Sequence, residues 1–61
     1  MKSENMLKAH DAFVSFEKLL RAAHTDAIES EDKFAEILIW NTLEEIVSVD
    51  WRLKRMREAA K

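Results

Sequence analysis

Phe34-Ala35-Glu36-Ile37-Leu38-Ile39-Trp40 is apolar at six of its seven positions, within a chain whose remaining sequence has helical spacing. At about 100° per residue those six side chains point in nearly every direction around a helix, so one neighbouring helix cannot cover them all. The segment therefore predicts a helix covered on more than one side, in a chain that associates with a second chain.

Size points the same way. The 61 residues form a single domain, 1–61, too small to bury a large share of its own surface. Disulfides, metals and oligomerisation are the usual remedies, and the absence of cysteine removes the first along with every thiolate metal site. Glycine and proline are absent too, which leaves no hairpin turn, flexible linker or phosphate-cradling loop of the usual chemistry. An all-α, self-associating protein is expected. Its longest apolar run, Ile37 to Trp40, is far shorter than the roughly 20 residues of a membrane span, and Met1 to Asn5 carry no signal-peptide apolar region. A cytoplasmic protein without a membrane partner is the expectation.

Outward from the opening segment, Ala35, Ile39, Thr42, Ile46, Val49, Leu53, Met56 and Ala60 continue one helical seam, widened by Leu38 and Leu43. A strand over 46–51, where Val47, Val49 and Trp51 alternate with polar residues, is the alternative, but no turn signal bounds it. Upstream, Met6, Ala9, Phe13, Phe16, Leu20, Ala23 and Ala27 follow at spacings of three and four. Ser3 suits the N-cap of this first helix, with Glu4 in its first turn, and Ser30 followed by Glu31 and Asp32 suits the N-cap of the second. The expected limits are helix 1 over about 4–25, a joint over about 26–30 and helix 2 over about 31–60. So short a joint makes the helices antiparallel neighbours, and two such hairpins packed seam to seam make a four-helix bundle. The expected dimer core is Phe13, Phe16, Leu20, Ile39, Leu43, Ile46 and Leu53.

Charge is segregated along the chain. Asp26, Glu29, Glu31, Asp32, Glu36, Glu44 and Glu45 lie around the joint with Lys33 as the only base, whereas Arg52, Lys54, Arg55, Arg57 and Lys61 share the other end with Glu58. Acids at helix starts and bases at helix ends complement the macrodipole. Each hairpin then has an acidic and a basic pole, which favours an antiparallel dimer.

Three features bear on function. Trp40, Val47 and Trp51 fall within about 40° on the wheel, with Ile37 beside them, and form a second apolar stripe about 120° from the first. They are either core or a partner-binding face, since tryptophan is enriched in binding hot spots. His10, Glu17 and His24 recur every seven residues, with Asp50 and Glu36 expected opposite the histidines. Seven residues is about 10 Å of helix, too far for one metal, so pH-sensitive His–carboxylate pairs are expected and no metal or cofactor. Asp50 lies near the middle of the helix 2 seam, where it needs a partner such as His10 or Arg57. No nucleophile sits beside a base in a concave site, so an enzyme is not expected.

The inferred architecture resembles that of the Rop family of plasmid-encoded RNA-binding proteins, αα-hairpins of similar length that dimerise into four-helix bundles. The resemblance is one of topology, carried by length and periodicity. It implies an RNA-reading outer face on helix 1, where this chain has Lys8, Ser15, Lys18 and Ala22 with Asp11 among them. The expected function is a small homodimeric adaptor or inhibitor, of the kind phage and plasmid genomes encode, that binds an unidentified protein through Ile37, Trp40, Val47 and Trp51. RNA or DNA binding through Lys8, Arg52, Lys54, Arg55 and Arg57 is the alternative, against a net charge of -2 per chain. A subunit or chaperone role inside a larger complex is the third.

Overall fold

The structure, a computed structural model, describes the backbone of residues 2–59 and the side chains of residues 4–59. It consists of two antiparallel α-helices, α1 (Lys2–Glu29) and α2 (Lys33–Ala59), packed along their length in a hairpin 45 × 16 × 11 Å. The span expected to admit a strand, 46–51, is helical throughout. Ser3 lies inside α1, and its side chain, like that of Ala60, is outside the described residues.

The joint is shorter and later than the sequence suggests: it comprises Ser30, Glu31 and Asp32, not 26–30. Two hydrogen bonds close α1. The Glu31 amide donates to the Ile28 carbonyl at 3.1 Å and the Asp32 amide to the Ala27 carbonyl at 2.9 Å, the paired bonds of a Schellman turn. Such a turn needs a left-handed residue between them, and in the absence of glycine Glu31 fills the position at φ 59°. A side chain there costs about 1–2 kcal/mol of steric energy, so the closure of the hairpin outweighs a local penalty. Asp32 then begins α2: its Oδ1 accepts from the Ala35 amide at 3.1 Å and its carbonyl from Glu36 at 2.9 Å. The expected cap, Ser30, instead serves the end of α1, its Oγ donating to the Asp26 carbonyl at 2.7 Å. Both residues are good caps by type. Asp32 takes the role because it is the first residue beyond the left-handed turn.

The core is thin. Only Ala27 and Leu43, each 6% exposed, and His10, at 9%, are buried among the described residues. Phe13, Leu20, Ile39, Ile46 and Leu53, expected as dimer core, are half-buried along the line between the two helices, whereas Phe16 points outward at 48% exposure. The side of α1 that meets α2 is thus turned from the expected seam toward His10, Glu17 and His24, all buried or half-buried.

Neither expected histidine–carboxylate pair forms. His10 meets Arg57, about two turns beyond Asp50, and His24 stacks on Trp40, one turn beyond Glu36. Asp50 pairs with Lys54 of its own helix at 3.2 Å, and Glu36 lies 3.7 Å from Lys33. Relative to the expected pairs the α2 partner is displaced from Asp50 to Arg57 at His10 and from Glu36 to Trp40 at His24, about 10 Å and about 6 Å along the helix, more than the two-residue later start of α2 supplies by itself. The macrodipole expectation holds at three helix ends, with Glu4 and Glu36 in first turns and Arg57 in the last turn of α2. It fails at the end of α1, where the last turn has no base and Asp26 and Glu29 stand nearby.

Candidate interaction surfaces

With so little buried between the helices, most of the apolar surface faces outward. From the half-buried line, at 100° per residue around each helix, the exposed apolar side chains fall on two opposite flanks of the hairpin.

The first flank carries Trp40, Val47 and Trp51, with Ile37 at its outer edge and Leu7, Val14 and Ile28 contributed by α1. Trp40 and Trp51 are 52% and 61% exposed, and Ile37 and Val47 are exposed as well. This flank is interleaved with charge. The His24 ring lies 5.6 Å from the Trp40 ring, tilted by 39°, and the Arg55 guanidinium stands 5.1 Å over the Trp51 ring, a cation–π arrangement. Glu17–Arg21 at 2.9 Å and Asp50–Lys54 border the same side. Toward the open end Arg57 bridges the helices: its Nη1 donates to Asp11 Oδ1 at 2.6 Å and lies 3.0 Å from His10 Nδ1. Since guanidinium can only donate, Nδ1 is the acceptor and the ring proton sits on Nε2. That buried Nε2 has no hydrogen-bond partner among the described residues.

The second flank carries Ala9, Ala12, Phe16, Leu19 and Ala23 of α1 with Leu38, Thr42, Val49 and Met56 of α2, and Phe34 near the joint. Leu19 is 71% exposed and Phe16, Leu38 and Val49 are exposed too. None of the ion pairs of the described residues lies on it. Its charged members are Glu45 and Arg52, at the outer edge of α2 and in no ion pair among the described residues. By spacing alone Ala9, Phe16 and Ala23 belong to the seam of α1, Leu38, Thr42, Val49 and Met56 to the seam of α2 or its margin, and Ala12, Leu19 and Phe34 to neither. The signal was present, in that small residues recur through α1 on the Phe16 side in a sector without charge, yet it acquires meaning only once the side facing α2 is known.

The candidate nucleic-acid residues do not form one patch. Lys8 pairs with Glu4 at 3.1 Å, Lys54 with Asp50, and Arg57 with Asp11; Arg55 covers Trp51, and Arg52 lies on the second flank. The described residues contain no group of three or more acids, histidines or cysteines suited to a metal, and no helix is long and apolar enough to cross a membrane.

The chain is thus an all-α helical hairpin with two open apolar flanks of different character. No family model matches it, and comparison with curated proteins and with solved structures finds no match in either.

Proposed function

We propose that this protein is a small homodimeric adaptor or inhibitor that binds another protein through the tryptophan flank, with Trp40, Val47 and Trp51 as anchors and Ile37 beside them. The observation that supports it is the pair of half-exposed indoles on one side of one helix, 11 residues apart (40 to 51), with the His24 ring beside one and the Arg55 guanidinium over the other. A large apolar anchor within a polar surround is the composition of a binding hot spot. The charges around the indoles keep the flank hydrated when empty, while the flank opposite, charged only at its outer edge by Glu45 and Arg52, is left for self-association.

Binding of RNA or DNA at the basic pole has less support, because three of the five candidate bases are already held by acids of the same chain. The test of the adaptor is a cross-linking capture from the native host with the wild-type chain and with Trp40→Ala and Trp51→Ala. A captured protein lost from both variants, with the dimer mass unchanged, supports the proposal. If both variants retain capture, or if they only dissociate the dimer, the indoles are not anchors.

A further inference from the structure

We infer that the second flank is the interface with a second copy of this chain, and that the two hairpins pair antiparallel about a two-fold axis passing near Phe16 and Val49. The inference rests on the self-association in the proposed function and specifies the face, the orientation and the residues that set it.

Area is the first support. The hairpin exposes 4909 Å², whereas a compact monomer of its 7.2 kDa exposes roughly 4,100 Å². The excess, about 800 Å², is what each partner of a standard stable interface buries. The second flank is the side on which burial strands no ion pair, since those of the described residues lie elsewhere.

The axis follows from the register. His24–Trp40 and His10–Arg57 mark two levels across the hairpin, and Phe16 and Val49 stand about midway between them. They are therefore level with each other, one on each helix, and both on the second flank. A two-fold axis across the hairpin at that level lays α1 against α1 of the partner and α2 against α2. Phe16 then meets its own copy, and Ala9 and Ala23, on either side of it, come opposite one another, leaving room for the ring pair.

Charge selects this arrangement over the parallel one. Glu45 and Arg52 lie seven residues apart (45 to 52), one on each side of the Val49 level, at the same edge of α2. When α2 packs antiparallel on α2, Glu45 of each copy comes opposite Arg52 of the other, twice over. The poles agree, because the acids of the joint come beside the bases of the open end. A two-fold axis along the bundle does neither: it sets the acidic joints side by side and puts Glu45 against α1.

Two measurements test this. In sedimentation equilibrium at low salt, Glu45→Arg and Arg52→Glu should each weaken the dimer by about tenfold, and the double reversal should restore it, because the pairs re-form with signs exchanged. Both positions are exposed, so helical circular dichroism should be unchanged. Val49→Cys, in a chain with no other thiol, should oxidise to a disulfide-linked dimer, while Trp51→Cys should not. A double reversal no better than the single ones, failure of Val49→Cys to cross-link, or a wild-type chain that stays monomeric at all concentrations overturns the inference. None of these outcomes depends on the tryptophan flank, so loss of the adaptor reading would be seen separately, in the capture experiment.

Discussion

The two flanks of this hairpin expose similar kinds of apolar side chain and differ in what surrounds them. On the tryptophan flank the rings are bordered by His24, Arg55, Glu17–Arg21 and Asp50–Lys54, whereas on the Phe16 flank they are bordered by alanine and threonine, with Glu45 and Arg52 only at the edge. Covering the first displaces water from charged groups that already have partners, which costs free energy unless the incoming surface replaces those contacts. Covering the second removes mostly hydrocarbon from water, at roughly 25 cal/mol for each Å². A surface of the first kind suits a partner with matching polar groups; one of the second kind suits any close-fitting apolar face, including its own copy.

The most direct way to break this comparison is to put charge on each flank in turn. Phe16→Asp should weaken self-association by about 3 kcal/mol, on the order of a hundredfold, because it buries a carboxylate without a partner. Trp51→Asp should leave the mass in sedimentation equilibrium unchanged. The opposite pattern would exchange the roles of the flanks.

Leu43→Ala should act on both flanks together. It removes the one large apolar side chain buried between the helices among the described residues and should cost about 2 kcal/mol, at the low end for a buried leucine because the hairpin is thin enough to collapse around the gap. Thermal melts at several concentrations would show the loss, and a melt equal to wild type would mean that the hairpin contact contributes little.

At the joint the effects are smaller and of opposite sign. Asp32→Ala removes the cap of α2 and should cost about 1 kcal/mol, while Ser30→Ala should cost less, since Ser30 does not cap that helix. Glu31→Gly should stabilise by about 0.5–1 kcal/mol by relieving the left-handed side chain. If Glu31→Gly destabilised instead, the joint would not adopt the turn described. The smallest expected effect is none at all: if the Phe16 flank is the dimer interface as proposed, tryptophan emission should not change as the protein is diluted from dimer to monomer, because both indoles lie away from that flank. A red shift on dilution would place them in the interface.

Much of this was legible in the chain. The lack of glycine and proline together with apolar spacings of three and four leaves little besides two helices and a tight joint, and the tryptophan stripe follows from Trp40, Val47 and Trp51 alone. The joint itself was misplaced because Ser30 and Asp32 are equally good caps by residue type. Nothing local in Glu31 announces a left-handed residue, a position usually taken by glycine or asparagine. The other differences are ones of register and rotation: Arg57 and Trp40 stand beside the histidines instead of Asp50 and Glu36, and Phe16 lies on an open flank instead of in the seam.

Helix content, hairpin topology, charge poles and an apolar surface too large for one hairpin to bury are properties of composition and periodicity, and these the sequence by itself determined. Which side of α1 meets α2, which residue pairs with which across the hairpin, and how the remaining apolar surface divides into two flanks were decided only by tertiary structure. The physical reason is that each depends on the rotation and register of one helix against the other, which the three-residue turn at Ser30, Glu31 and Asp32 sets, and a shift of two residues there changes both.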